Sequence, residues 1–209
     1  PIWKTAFGNR RIPGFEEFLP SGIFDNKPIE KYLRRNMEHN GMPNNFRQLK
    51  KETGKSLYIT AVDLDTSKLA IFGPDEINTV TISEAAQASG ALPGFYKPAR
   101  IRGVDYIDGG VHNTADIKLA FDKGADLVIC YNPFRPYNNK IFLEFLEDEK
   151  KFITKKKRLS NWGMATVLHQ VFRTLFHCRL EAELENLRKD PKFKKDIILI
   201  QPTEDDSDF

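Results

Sequence analysis

The stretch that decides the fold runs from Ser83 to Gly110 and reads SEAAQASGALPGFYKPARIRGVDYIDGG. Its first part predicts a short helix. Thr81, just ahead of the stretch, is followed three residues later by Glu84, and this spacing has the form of a capping box that begins a helix. Gly90 can adopt the left-handed conformation that ends a helix, so the helix is expected to end at this residue.

The second part of the stretch predicts an irregular turn over residues 92–95 and then a strand that ends at Asp108. Gly109 and Gly110 lack a Cβ atom, so the backbone can turn sharply there and the Asp108 carboxylate can reach a neighbouring group. We therefore take Asp108 as the candidate catalytic residue. Taken alone, an Asp-Gly-Gly sequence is also typical of a simple turn in which the aspartate caps Gly110.

Two parts of this stretch, Ala88–Phe95 and Tyr106–Gly110, resemble the second half of the patatin-like lipid acyl hydrolase family. Two further segments match the same family in the same order along the chain. Gly22–Ile29 resembles the family's entry to a helix, and Leu57–Thr66 resembles its strand ahead of a hairpin. The resemblance is clearest over residues 22–133, and the ordered matches are more specific than a lone Asp-Gly-Gly.

The resemblance implies an α/β fold of three layers with a mostly parallel central sheet. It also implies that residues 1–209 form the C-terminal portion of a single domain of this kind, with the N-terminal part of the domain missing from the chain. The family carries a glycine-rich oxyanion loop and a G-x-S-x-G nucleophile elbow ahead of the region seen here. No G-x-S-x-G occurs in the sequence, since Ser21 lies in Leu-Pro-Ser-Gly-Ile and Ser89 in Gln-Ala-Ser-Gly-Ala.

The activity implied by the resemblance is hydrolysis of lipid acyl esters, of the phospholipase A or lysophospholipase type, by a Ser-Asp dyad. Asp108 would be the general base, while the nucleophilic serine and the oxyanion loop would lie on an upstream segment. Gly109, Gly110, Ser89 and Pro93 would support the motif. An aspartate with its ordinary pKa of about 3.9 is a weak base at neutral pH. Burial beside an apolar acyl pocket would raise the pKa of Asp108.

Two alternatives remain open. The first is a non-catalytic lipid-binding or regulatory domain that kept the acyl pocket and lost the nucleophile. The second is an α/β module that binds nucleic acid through the basic run at residues 150–158. We rank it last and expect no nucleic-acid partner, because no recognised nucleic-acid-binding fold accompanies these charges. The same run is either a solvated helix face or a patch that meets anionic lipid headgroups.

Composition sets broad limits on the protein class. The chain is 40% hydrophobic and 29% charged, as in ordinary soluble globular proteins, and its net charge of +3 does not by itself indicate a nucleic-acid or membrane partner. Two cysteines favour a reducing compartment, and no apolar stretch approaches the roughly 18 residues of a membrane-spanning helix. We expect a cytoplasmic protein. Peripheral contact with a membrane is a further expectation.

No cofactor and no metal are expected. His169, His177 and Cys178 share one predicted helix, but no carboxylate completes a ligand set with them. A triad role for His112, which is close to Asp108 in sequence, is less favoured than a polar loop position.

Hydrophobic periodicity predicts the remaining elements. Ahead of the central stretch we expect a helix over 27–39 and a polar loop over 41–55. A hairpin follows, with strands at 57–64 and 69–72. After the central stretch we expect a helix capped by Asn113 or Thr114 and closed at Gly124, and then a buried strand in a parallel βαβ unit. We place this buried strand at 127–131. After it the sequence predicts mainly helical structure over 138–188, a strand at 197–200 and a mobile acidic tail at 203–209.

Overall fold

A computed structural model describes residues 20–139, 143–146, 151–154, 158–190 and 196–203 of the chain. The acidic tail expected over 203–209 lies outside these ranges, apart from its first residue. The described residues form a mixed α/β structure in which helices pack on sheets. The α/β class inferred from the sequence is therefore confirmed.

The two helices nearest the start of the described chain differ in how well the sequence predicts them. Helix α1 spans Lys27–His39, as the periodicity indicates. Helix α2, Phe46–Thr53, lies where we expected a polar loop. The segment is polar, but it contains one signal for the beginning of a helix and one for its end. The Asn45 side chain accepts hydrogen bonds from the first-turn backbone, and Gly54 ends the helix at a φ of 72°.

The largest described sheet has four strands: Ile59–Asp63 (β2), Leu69–Phe72 (β3), Ala99–Ile101 (β5) and Val104–Asp108 (β6). It is antiparallel throughout, with strand order β3-β2-β6-β5. The predicted hairpin is confirmed, with β2 pairing with β3. On its other side β2 pairs with β6, so that Ala61 lies opposite Asp108. Strand β5 then pairs with β6.

Helix α3, Ile82–Ser89, begins as the sequence predicts. The Thr81 side chain accepts a hydrogen bond from the backbone of Glu84, and the Glu84 carboxylate accepts one from the backbone of Thr81, which completes the capping box. The predicted conformation of Gly90 is wrong, because its φ is −91°. Gly90 N donates to Ala86 O at 3.0 Å, so the chain continues in a right-handed turn beyond the helix.

Parallel pairing between strands within the described ranges is confined to two short pairs, and one isolated parallel bridge joins Phe72 and Ile77. Strand β1, Gly22–Phe24, pairs with β4, Gly94–Tyr96. Strand β7, Leu127–Tyr131, pairs with β10, Asp196–Ile200. The expected mostly parallel central sheet is not confirmed. Short hairpin connections join β2 to β3 and β5 to β6, and such connections allow only antiparallel pairing. The parallel neighbour of β7 is β10 rather than β6, the strand ahead of it in the chain.

The segment after Asp108 also departs from expectation. Helix α4, Ile117–Asp122, begins after Asp116, which has a φ of 46°, and not at the caps expected at Asn113 or Thr114. Strand β7 was expected to be buried, but only Cys130 of its residues is buried.

The mainly helical structure expected over 138–188 is correct only for its second half. Strands β8, Leu143–Leu146, and β9, Lys151–Thr154, pair with each other where we expected a helix over 138–158. A short 3₁₀ turn at Leu159–Trp162 then leads into helix α5, Met164–Lys189. The charges of the first half resemble those of a solvated helix, and charge alone does not separate a helix from an exposed hairpin.

The apolar core formed by the described residues has two parts. The larger packs α2 and α3 on one face of the four-stranded sheet, around Phe46, Phe72 and Tyr106. The smaller lies between α4, α5 and the β7–β10 pair, around Ile117, Leu180 and Leu184. No helix in the described ranges is long and apolar enough to cross a bilayer. The Asp-Gly-Gly motif begins at Asp108, the last residue of β6, and from there the chain passes from the larger core to the smaller one.

Candidate active site

Asp108 is the last residue of β6 and lies against the turn that follows α3. Its backbone N–H donates to the carbonyl of Ala91 at 3.0 Å, and its strand pairing places it opposite Ala61. Two of the segments that carry the family resemblance, Ala88–Phe95 and Tyr106–Gly110, are therefore joined by a backbone hydrogen bond. Sequence reasoning identified both segments but contained no signal for this contact.

The carboxylate of Asp108 is held by one short local hydrogen bond. Its Oδ1 accepts from the N–H of Gly110 at 2.7 Å, as in the turn-capping alternative. In the part of the chain that the structure describes, no donor reaches Oδ2. Burial raises the pKa of Asp108 above its ordinary value, and the Gly110 hydrogen bond opposes this shift only in part. The Asp108 carboxylate therefore caps the turn at Gly110 and also has a raised pKa.

The glycines of the motif are closely packed, and the packing at Gly109 leaves no room for a side chain. A Cβ atom on Gly109 would lie 2.6 Å from the carbonyl oxygen of Thr60, on the neighbouring strand β2. A Cβ atom on Gly110 would lie 3.3 Å from the ring of Phe176. Gly109 begins a 3₁₀ turn, Gly109–Val111, that carries the chain away from the sheet. Both glycines thus hold the carboxylate at the junction between sheet and helix.

Aromatic side chains of α5 cover the same side of the motif. The buried ring of Phe176 lies 6.0 Å from that of Phe172 and 6.1 Å from that of Phe134, measured between centroids. Phe172 in turn meets Phe95 of the turn at 6.5 Å, nearly edge to face. We call these four rings the aromatic cluster: Phe95, Phe134, Phe172 and Phe176. It forms an apolar wall beside Asp108.

Helix α5 also fixes the loop that follows the motif. Arg179 donates from Nη1 to the carbonyl oxygens of Val111 and His112, the latter at 2.8 Å. The Thr114 hydroxyl donates to the carbonyl of Phe176 at 3.0 Å. Sequence reasoning missed Arg179, because an exposed arginine on a helix carries no pattern that reveals a distant carbonyl partner. His112 is exposed, and the loop position expected for it is the one observed.

Pro93 and Ser89, expected to support the motif, lie in the turn after α3 and in the last turn of α3. Pro93 lies in a tight turn in which the Leu92 carbonyl accepts from the N–H groups of Phe95 and Tyr96, at 3.2 and 2.9 Å. Ser89, in the last turn of α3, lines a cavity of about 430 Å³ that also contacts Asp116. Within the described residues no hydrogen bond joins Ser89 to Asp108, so the structure does not bring this serine to the carboxylate.

The histidines of α5 form no metal centre in the described structure. No group of three or more His, Cys, Asp or Glu side chains in these ranges could hold an ion. His169 accepts a hydrogen bond at Nε2 from Arg173 Nε at 3.2 Å. Burial lowers the pKa of His169, and the Arg173 charge adds to this effect. His169 therefore belongs to the packing around the aromatic cluster.

Comparisons with known proteins identify the family of the chain. The family model described as patatin-like phospholipase matches residues 2–121, more than half of the chain. The Escherichia coli (strain K12) protein described as uncharacterized protein YjjU is 32% identical over 79 residues, which are 37% of this chain and 21% of that protein. The match thus spans about a fifth of that relative's length. On the family match, the chain belongs to the patatin-like phospholipase family.

Proposed function

We propose that the chain supplies the general base of a lipid acyl hydrolase that uses a Ser-Asp dyad, with Asp108 as the base. The observation that carries this proposal is the position of the Asp108 carboxylate. It lies at the end of β6 beside the buried ring of Phe176, with Oδ1 held by Gly110 and Oδ2 without a described donor. Family membership supports the reaction class.

The proposed chemistry divides into two displacements. As the serine hydroxyl oxygen attacks the ester carbonyl, Asp108 Oδ2 takes the hydroxyl proton and then passes it to the departing alcohol. In the second step the same oxygen takes a proton from water as the water oxygen attacks the acyl-enzyme. The bond from the carbonyl carbon to the serine oxygen then breaks, and Asp108 passes the proton to the serine oxygen, which releases the fatty acid and restores the serine hydroxyl. A raised pKa makes the carboxylate a better proton acceptor for both steps.

The proposed substrates are acyl esters of lipids, with phospholipids or lysophospholipids foremost. An acyl chain needs an apolar wall next to the reacting carbonyl, and the aromatic cluster is such a wall beside Asp108. Placement in the cytoplasm, at or near a membrane, is part of the same proposal.

The nucleophile is proposed to lie on an upstream segment, together with the glycine-rich loop that would bind the oxyanion. The β7–β10 pair supports this view. Parallel sheets are generally covered on both faces. One face of this pair contacts α4 and α5, whereas alternate residues on its other face are exposed: Leu127, Ile129, Tyr131, Ile198 and Ile200. We propose that the remainder of a three-layer, mostly parallel domain packs on this exposed face.

The direct test is labelling of the natural protein with a fluorophosphonate, followed by mass spectrometry of every polypeptide present under denaturing conditions. We expect a labelled serine in a G-x-S-x-G sequence outside residues 1–209. Absence of any labelled serine, in a preparation whose lipid binding shows that it is folded, would contradict the proposed dyad.

A second candidate function is lipid binding without turnover. It is favoured by one observation, namely that no G-x-S-x-G occurs within the 209 residues. It predicts that fatty acids or liposomes bind while no ester is cleaved. The labelling experiment separates the two candidates, because only the first requires a reactive serine.

The proposed base makes a prediction about pH. Asp108 must be ionised to accept a proton, so activity is lost as the pH falls through the pKa of this carboxylate. Since burial raises that pKa above 3.8, the acid limb of kcat/KM should have its midpoint above 3.8. The measurement is kcat/KM for a soluble short-chain ester against pH. A midpoint at or below 3.8 would contradict the role of a desolvated Asp108.

A further inference from the structure

Asp116 is the last residue of the loop that leads from the Asp-Gly-Gly motif to α4, and we call residues 109–116 the motif loop. An aspartate directly ahead of a helix normally accepts a hydrogen bond from the backbone of the first turn. The Asp116 side chain makes no such bond. The N–H of Lys118 in that turn donates instead to Oε1 of Glu183, on α5, at 3.3 Å. Capping of α4 therefore does not explain Asp116.

The Asp116 carboxylate reaches the four-stranded sheet instead. Its Oδ2 accepts a hydrogen bond from the hydroxyl of Thr60, on β2, at 2.6 Å, which is the length of a strong bond to a charged acceptor. Thr60 lies between Ile59 and Ala61, which contribute to the larger core. Asp116 directly precedes Ile117, which is buried in the smaller core. The bond therefore ties the two cores together at the motif loop.

The position of Asp116 carries a cost in free energy. Its φ of 46° lies in the left-handed region, which residues other than glycine rarely adopt. Its Oδ1 is buried, and within the described residues this oxygen has no hydrogen-bond partner. Unpaired buried oxygens and backbones in sparsely populated conformations are both unfavourable, and the latter cluster at functional sites. These observations point to a role for Asp116 beyond the start of a short helix.

Thr60 contacts both ends of the motif loop. At the start of the loop, a Cβ atom on Gly109 would lie 2.6 Å from the carbonyl oxygen of Thr60 and 2.6 Å from its hydroxyl oxygen. At the end of the loop, the same hydroxyl donates to Asp116. The hydroxyl that lies against Gly109 is thus the one that Asp116 orients. Because Asp108 directly precedes Gly109, the orientation of Thr60 bears on the placement of the Asp108 carboxylate.

We propose that Thr60 and Asp116 are positioning residues for Asp108 and act through Gly109. The inference rests on the proposed function for the role of Asp108 as the base. The Asp116 carboxylate holds one rotamer of Thr60, and the hydroxyl and carbonyl oxygens of Thr60 then limit where Gly109 can lie. In the described structure neither side chain hydrogen-bonds to the Asp108 carboxylate, whose Oδ1 accepts from Gly110. The pair therefore sets geometry and takes no part in proton transfer.

Paired substitutions in the natural full-length protein test the inference. Thr60→Val nearly keeps the side-chain shape and removes the hydroxyl, whereas Thr60→Ser keeps the hydroxyl. Asp116→Gly and Asp116→Asn both tolerate the left-handed backbone, but only the asparagine keeps an acceptor oxygen. For a soluble short-chain ester, Thr60→Val and Asp116→Gly should lower kcat by about 10- to 100-fold, because the base is displaced. KM should stay nearly unchanged, and the serine and asparagine variants should recover most of the loss.

Two further variants complete the design. The double variant Thr60→Val with Asp116→Gly should lose no more activity than the more affected single variant, because both substitutions break one hydrogen bond. Thr53→Val is the matched control. It removes a hydroxyl that donates to the Leu49 carbonyl at 2.7 Å within α2, and its kcat should equal that of the wild type. Hydrogen exchange over residues 109–116 should be faster in Thr60→Val than in Thr60→Ser.

Wild-type kcat in Thr60→Val or in Asp116→Gly would overturn the inference. Equal losses in Thr60→Val and Thr60→Ser would also overturn it, since the hydroxyl would then not be the cause. If Asp108→Asn abolishes hydrolysis while Thr60→Val retains it, this inference alone fails and the proposed function stands. If the wild-type protein cleaves no ester, the proposed function fails. The exchange measurement then still decides whether the pair holds the motif loop, and equal exchange in the two Thr60 variants would exclude it.

Discussion

Replacement of Asp108 by Asn is expected to reduce kcat/KM for a soluble acyl ester by about 10³-fold or more, and to abolish fluorophosphonate labelling in the full-length protein. An amide at this position keeps the shape and can still accept the hydrogen bond from Gly110, but it cannot take a proton from serine or from water. General base catalysis is typically worth about 10²–10⁴-fold in rate.

The same substitution should not destabilise the protein at neutral pH. Because burial raises the pKa of Asp108 in the folded state, the charged carboxylate costs stability at every pH above that raised pKa. This cost disappears as the pH falls below the pKa of the unfolded chain, where the group is protonated in both states. The melting temperature of Asp108→Asn should therefore equal or exceed that of the wild type at pH 7, with the difference lost near pH 3.

Asp105→Asn is the matched control for this prediction. Asp105 lies on the same strand, but its side chain points to the opposite face and pairs with Arg100 at 2.6 Å. Exposed ion pairs contribute little, so this variant should retain activity and stability. Comparable loss of activity in the two variants would show that the effect is not specific to the base. Full activity in Asp108→Asn would exclude the dyad.

The sequence predicts the parts of this fold that depend on neighbouring residues. The capping box at Thr81 and Glu84, helix α1 and the β2–β3 hairpin all follow from side chains a few positions apart. The direction of the Asp108 pKa shift agrees with the expectation that the carboxylate is buried beside an apolar pocket, an expectation that came from the family resemblance. Family resemblance added the chemical role, which no local pattern contains.

The features that the sequence did not predict depend on contacts between distant residues. The hydrogen bond from Asp108 to Ala91 and the contact of Arg179 with the loop at His112 each join segments that periodicity treats separately. The pairing of β7 with β10 was likewise missed, since an apolar run does not name its neighbour in a sheet. Helix α2 was missed for another reason, because its cap at Asn45 looks like ordinary loop sequence.

Substitution of Gly109 is the second change expected to have a large effect on activity, and it acts through packing rather than through charge. In Gly109→Ala the new methyl group would lie 2.6 Å from the Thr60 carbonyl oxygen and 2.8 Å from the Thr60 carbonyl carbon. These are backbone atoms of a strand that pairs on both sides, with β3 and with β6, so they cannot move without disturbing the sheet. The 3₁₀ turn must shift instead, and the carboxylate one residue earlier shifts with it.

We expect Gly109→Ala to lower the free energy of unfolding by about 1–3 kcal/mol, as overpacking generally does. It should also lower kcat/KM by about 10²-fold, since a displacement of about 1 Å at a catalytic group has effects of this size. The measurements are urea unfolding and ester hydrolysis in the full-length protein.

Gly90→Ala is the control that separates crowding at Gly109 from the loss of a glycine as such. Gly90 has a φ of −91°, and a Cβ atom there would meet only Ala86 O at 3.4 Å, an ordinary contact. Alanine reduces the conformational entropy of the unfolded chain relative to glycine. The free energy of unfolding of Gly90→Ala should therefore be unchanged or higher by about 0.4–1 kcal/mol. If Gly109→Ala matched it in stability and activity, the close approach of the turn to β2 would not be what positions Asp108. If only Gly109→Ala lost activity, the packing of the second motif residue would be established as the constraint that holds the base in place.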